Sequence, residues 1–228
     1  MLESQFDIAV VGGGLVGASL VLALARFAAQ KRLRVLHLEA NAAGSSAMPS
    51  DERHLAINAF SWQTLKQLGV VLEANRCAPI QRVHISSRGD FGRVLLDAKQ
   101  EGVNEFGRLV PATQLRDGLE TALSNCASTW LSRLHGSRLV GLDTEAKDAA
   151  NLVLAASYGA LKTVRARLVV GCDGTQSSVR DFIGKSSIVP DAGNVTASFD
   201  YQTSALSFNF KPEYDPLHTA FERFTDTG

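Results

Sequence analysis

Residues 6–11 (FDIAVV) are apolar at all positions but one, the pattern of a strand covered on both faces. From Leu15 the spacing becomes helical, with Val16, Leu20, Ala23 and Phe27 expected on one face. Residues 33–38 (LRVLHL) read as a second strand that ends at Glu39. Together they form a strand–helix–strand unit of about 30 residues. A polar loop of small residues follows at 41–52, and then a helix is expected over 55–68, stopped at Gly69. Residues 83–87 and 93–97 read as a hairpin turned by Gly89 and Gly92. Residues 111–123 predict a helix with Leu115, Leu119, Ala122 and Leu123 on one side. Short strands are expected at 137–142, 151–156 and 161–164, with a separate buried strand at 167–171. Residues 199–210 alternate around Leu206, Phe208 and Phe210, which predicts one more strand.

Strands alternating with helices place the chain in the α/β class. Composition narrows the partners. Lys plus Arg and Asp plus Glu number 23 each, so the net charge is zero and nothing points to nucleic acid or an anionic membrane surface. No apolar run approaches the ~18 residues of a membrane-spanning helix, and the first residues lack the basic start of a signal peptide. Cys77, Cys126 and Cys172 are too few and too scattered for a disulfide framework or a zinc site. A cytoplasmic location is the expectation. The five histidines, His37, His54, His84, His135 and His218, show no metal-ligand spacing and read as surface or packing residues.

The turn after the first strand carries G-x-G-x-x-G on Gly12, Gly14 and Gly17. Gly12 suits a tight turn, Gly14 a close approach of backbone to a pyrophosphate, and Gly17 close packing of helix on strand. The helix start offers free N–H groups and a partial positive charge to phosphates. Glu39, 22 residues after Gly17, is placed to accept hydrogen bonds from ribose hydroxyls. An acid there disfavours a 2′-phosphate. FAD and NAD share the ADP half, so this motif does not separate them.

A second stretch, RLVVGCDGTQSSVR (167–180), runs from a buried strand into Asp173 and Gly174. A carboxylate at a strand's C-terminal end lies where open α/β sheets bind ligands, and it suits a sugar hydroxyl. Thr175, Ser177 and Ser178 are candidates to cap the next helix. An ordinary Asp-Gly turn is the plain alternative.

The pair GGGLVG and GCDGTQSSVR resembles the group A flavoprotein monooxygenases, the aromatic hydroxylases built like p-hydroxybenzoate hydroxylase. The segment SDERHLAINAFSWQTLKQLGV, with Arg53, resembles the arginine segment of that family. VHISSRGDFGRVLL and AFERFTDTG are similar to the ubiquinone-biosynthesis branch, within it the 2-polyprenyl-6-methoxyphenol hydroxylases. The resemblance implies a Rossmann-like FAD-binding domain over 1–80 and 106–186, and a partial, truncated substrate-domain β-sheet over 81–105 and 187–228. It implies FAD as cofactor, held by Gly12, Gly14, Gly17, Glu39, Arg53, Gln114, Asp173 and Gly174, with NADPH or NADH as reductant. No catalytic side chain and no metal are implied. The implied reaction is hydroxylation of a hydrophobic prenylated phenol through a flavin C4a-hydroperoxide, in an assembly at the surface of the inner membrane. A non-catalytic flavin-fold subunit and an NAD-dependent dehydrogenase are the other readings. The family is nearly twice this length and carries a third flavin motif of the G-D-A-A-H type. The 228-residue chain is therefore expected to be an N-terminal portion that holds FAD weakly, is inactive alone and self-associates.

Overall fold

The computed structural model describes residues 5–42, 51–126, 129–146, 148–156, 159–185 and 199–226. In chain order the elements are β1 (Gln5–Val11), α1 (Leu15–Lys31), β2 (Val35–Leu38), β3 (His54–Asn58), α2 (Ala59–Gln67), β4 (Ala78–Ile80), β5 (Arg82–Ser87) and β6 (Arg93–Asp97). They continue with β7 (Gly107–Pro111), α3 (Ala112–Asn125), β8 (Leu131–Leu134), β9 (Ser137–Asp143), β10 (Ala150–Ala156), β11 (Leu161–Gly171), α4 (Ser178–Lys185) and β12 (Thr219–Phe224). The chain divides into two compact units, Met1–Pro49 with Leu119–Ser204, and Ser50–Gly118 with Ala205–Gly228.

The first unit is built on a six-stranded sheet in the order β8-β2-β1-β11-β10-β9. β8, β2, β1 and β11 run parallel, while β10 and β9 add antiparallel strands at one side. All four residues of β2 are buried, which explains why its sequence lacks alternation. One side of the core gathers Phe6, Leu36, Leu38, Leu152, Val164 and Val179. The strands expected at 161–164 and 167–171 are one strand of 11 residues. Its first part pairs antiparallel with β10 and its later part parallel with β1. The polar residues in its middle do not break the ladder, because backbone pairing is independent of side-chain polarity.

The face expected for α1 is corrected. Val16 and Phe27 are 70% and 59% exposed, whereas Ala18, Val21, Leu22 and Ala28 are buried. The helix is apolar nearly all round, so periodicity alone selects no face. The stripe expected on α3 is present: Leu115, Leu119, Ala122 and Leu123 are all buried.

The second unit holds two three-stranded sheets, β3-β7-β4 and β12-β5-β6. The helix expected over 55–68 begins later, because residues 54–58 pair antiparallel with β7 as β3. Asn58 ends that strand and caps α2, its side chain accepting from the Ser61 N–H at 2.8 Å. Gly69, at φ +82, ends the helical run as expected. The hairpin of β5 and β6 turns through Gly89 and Gly92, both at positive φ.

Residues 199–210 are not a strand. Leu206, Phe208 and Phe210 are exposed, and the segment pairs with no described strand. Alternation creates a strand only where a neighbour supplies the ladder and covers the apolar face. Asn209 ties the segment down locally, donating to the Glu52 carbonyl at 2.7 Å and bonding His54 Nδ1 at 3.1 Å. Accordingly, Leu206→Ser and Phe208→Ser are each expected to change unfolding free energy by less than about 0.5 kcal/mol in urea titrations. A loss above about 1 kcal/mol would mean that these side chains are buried in solution. Among the described residues no helix is long and apolar enough to cross a membrane.

Candidate dinucleotide site

The register of the parallel strands brings three chain ends together. Val11, the last residue of β1, pairs with Leu38 on one side and Gly171 on the other. The Gly12 N–H donates to the Leu38 carbonyl at 2.9 Å, and the Cys172 N–H to the Val11 carbonyl at 2.7 Å. From β1 the chain crosses to β2 on one side, while β11 flanks the other. In open parallel sheets this is where ligands bind.

The glycines of the β1–α1 turn divide by what surrounds them. Gly12 has φ +111, and a Cβ there would strike the Cys172 carbonyl and stand 2.8 Å from the Asp173 nitrogen. A Cβ on Gly17 would strike the Gly12 carbonyl oxygen, so Gly17 lets α1 start against the turn. Gly13, which the spacing did not single out, would meet the Glu39 side chain. Gly14 differs from all three: a Cβ there meets nothing within 4 Å. Gly14 is also the N-cap of α1, with no side-chain cap and no acidic residue in the first turn. The first N–H groups of α1 thus have no capping side chain, and the helix's own first turn supplies no carboxylate. Glu39 is half-buried beside Gly13, and its Oε1 accepts from the Asn41 N–H at 2.7 Å. A bare helix start, an open glycine and a carboxylate beyond the second strand fit the phosphates and ribose of a dinucleotide.

The second glycine-bearing strand end is built differently. Asp173 caps α4: Oδ1 accepts from the Ser177 hydroxyl at 2.6 Å, and Oδ2 from the N–H groups of Ser178 at 2.6 Å and Val179 at 3.2 Å. Of the three candidates for capping, Ser177 also contributes, accepting from the Arg180 N–H at 3.1 Å. Asp173 is the main cap, a role the sequence reading gave to its neighbours. Gly174, exposed at φ +81, makes the turn. Cys172 packs under Gly17, and burial pushes its thiol above the usual range.

Residues 5–220 match the family described as FAD binding domain. The chain belongs to that family. Its cofactor is therefore FAD, and the FAD-or-NAD ambiguity of the glycine motif is resolved. The chain is 31% identical over 230 residues to 3-demethoxyubiquinol 3-hydroxylase of Escherichia coli (strain K12), covering 100% of this chain and 54% of the relative. It is 31% identical over 224 residues to ubiquinone hydroxylase UbiL of Rhodospirillum rubrum, covering 97% of this chain and 47% of the relative. The chain spans about half the length of the curated relatives it matches. The fold is that of p-nitrophenol 4-monooxygenase PnpA from Pseudomonas putida DLL-E4, with TM-score 0.61 and 19% identity over 80% of this chain and 44% of that one. Aklavinone-11 hydroxylase, solved with FAD and aklavinone, matches with TM-score 0.57 and 23% identity over 81% of this chain and 36% of that one.

Two expected site residues, Arg53 and Gln114, fall in the second unit. The Arg53 guanidinium grips Asp51 with two bonds, 2.7 and 2.8 Å, and this holds the Asp51 carboxyl down at about 2. Gln114 is buried; its Nε2 donates to the Glu73 carbonyl at 3.2 Å, and its Oε1 accepts from the Cys77 thiol at 3.6 Å. Both side chains already have partners within their own unit. Among the described residues no cluster of His, Cys, Asp and Glu is arranged to hold a metal.

His37, which sequence reasoning treated as a surface or packing residue, is buried in β2 with its ring against the Gly12 carbonyl. A histidine in an otherwise apolar strand, two residues before Glu39, was the available signal. Burial keeps its pKa below 6.5, assisted by Arg133 and His135 and opposed by the Gly12 bond and Glu39. The unfolded chain therefore binds more protons between 6.5 and that depressed value. The stability His37 contributes is present above pH 6.5 and is lost as pH falls through this window. Thermal melts between about pH 7.5 and 5.5 are expected to show that loss in the wild type and a smaller one in His37→Gln.

Proposed function

We propose that this chain is the cofactor-binding portion of an FAD-dependent aromatic hydroxylase that acts on a hydrophobic phenol, with ubiquinone precursors as the favoured substrate class. The observation that carries the reading is the uncapped start of α1 at Gly14, beside Glu39 and the Gly12 turn. The ubiquinone hydroxylases that match along nearly the whole chain support the substrate class.

In this reading Gly12, Gly14 and Gly17 let backbone and helix start hold the pyrophosphate, and Glu39 accepts from the adenosine ribose. Asp173 and Gly174 shape the neighbouring strand end. Arg53 and Gln114 are assigned to the flavin side by resemblance. Bound FAD supplies electron transfer from NADPH or NADH and the activation of dioxygen. The protein's own contribution is to bind, orient and exclude water. The FAD-binding domain is assigned to residues 1–80 and 106–186, and the substrate sheet to 81–105 and 187–228. The sheet β12-β5-β6 supports the second assignment, since it joins residues from both stretches. A prenylated substrate favours a protein of the cytoplasmic side working at the membrane surface.

Two measurements test this reading. Titration with FAD and, separately, NAD should show quenching of flavin fluorescence and no comparable affinity for NAD. Preferential binding of NAD would refute it. Deletion of the gene should cause a ubiquinone precursor lacking one ring hydroxyl to accumulate, read by mass spectrometry. An unchanged quinone pool would remove the substrate assignment. The chain alone is proposed to bind FAD more weakly than a full-length relative, to catalyse no hydroxylation and to self-associate.

A further inference from the structure

His37 is 3% exposed, and its Nε2 lies 3.3 Å from the Gly12 carbonyl oxygen. A carbonyl only accepts, so Nε2 carries the proton and donates. The Gly12 N–H is meanwhile held by the Leu38 carbonyl at 2.9 Å. Both polar groups of Gly12 are thus engaged by β2, one by backbone and one by side chain. A trans peptide points its C=O and the following N–H in opposite directions. Turning the Gly12 carbonyl toward His37 therefore turns the Gly13 N–H away from it. Two glycines flank this peptide, so no side chain of their own fixes its plane.

We propose that His37 is a positioning residue that locks the Gly12–Gly13 peptide plane, so that the Gly13 N–H is presented to an anionic ligand at the start of α1. The proposal rests on reading this turn as the dinucleotide site. The ring does not touch the cofactor; it acts through one carbonyl. Its surroundings keep it in place. Arg133 of β8 lies near the ring, and its Nη2 donates to Glu120 of α3 at 2.6 Å. Burial opposes the charge of Glu120, but Arg133 holds that carboxyl below its usual range, so the pair stays ionised beside a neutral imidazole.

The test uses His37→Leu, which removes the donor, His37→Asn, whose amide is too short to reach, and His37→Gln, whose amide N–H can replace Nε2. Calorimetry with ADP-ribose reads the pyrophosphate site. Affinity should fall about fivefold to tenfold in the Leu and Asn variants and stay within about twofold in Gln. In the ligand-free chain, the Gly13 amide resonance should be single and sharp in wild type and Gln, and broadened by exchange in Leu and Asn. Folded Leu or Asn variants with wild-type affinity and an unchanged Gly13 resonance would overturn the proposal. If Leu does not fold, equal affinity of Asn and Gln does the same. A wild-type chain that binds no ADP-ribose refutes the site reading, and the Gly13 resonance still decides whether His37 holds the peptide.

Discussion

Gly14→Val is expected to leave the ligand-free chain as stable as wild type and to abolish FAD binding. Gly14 has φ −65 and ψ −176, extended backbone that valine adopts readily. A Cβ there meets nothing within 4 Å, so the fold loses no packing. The space the side chain would fill is the approach to the bare N–H groups of α1, which a pyrophosphate needs. Gly17→Val is the control with the opposite signature. Its Cβ would strike the Gly12 carbonyl oxygen and lie 3.3 Å from the Cys172 Cβ. It is expected to lower unfolding free energy by about 3 kcal/mol or more. Thermal melts and flavin fluorescence titrations of both variants provide the comparison. A folded Gly14→Val protein that still binds FAD like wild type would refute the placement of the pyrophosphate.

Asp173→Ala is expected to destabilise the chain by about 2 kcal/mol whether or not cofactor is present. The carboxylate accepts two backbone N–H bonds and one hydroxyl bond at the start of α4. Its removal leaves those donors without their partner and takes a negative charge from the positive end of the helix. Val179, in that first turn, is buried in the core beside Leu152 and Val164, so fraying α4 also loosens the sheet. Asp173→Asn keeps one acceptor and should recover part of the loss. Urea denaturation of the ligand-free proteins gives the answer. If stability is unchanged while FAD affinity drops, Asp173 serves a sugar hydroxyl, as the sequence suggested, and the cap is incidental.

The β1–α1–β2 unit was legible because each signal is local. An apolar run, a glycine spacing and a switch to helical period lie within 34 residues, from Gln5 to Leu38. The hairpin of β5 and β6 and the buried stripe of α3 were legible for the same reason. The misses came from contacts that the string does not display. The cap of α4 looked like the work of Thr175, Ser177 and Ser178, since nothing in the string says that the Asp173 carboxylate will fold forward onto the N–H groups of Ser178 and Val179. The two halves of β11 looked separate because different partners, β10 and β1, hold them.

The sequence by itself determined where backbone must bend or approach closely, because glycine's lack of a Cβ is a property of the residue. Gly17, whose added Cβ would strike the Gly12 carbonyl oxygen, carries that necessity within the motif itself, whereas the clash at Gly12 is with Cys172 and exists only once β11 lies beside β1. Tertiary structure alone decided which apolar positions are covered, and by what. It buried Val21 and Leu22 of α1 in place of Val16 and Phe27, and among the described residues it gave 199–210 no ladder. It also set His37 against the Gly12 carbonyl across 25 residues of chain. Burial and hydrogen bonding are relations between residues, and pairing in the sheet decides them.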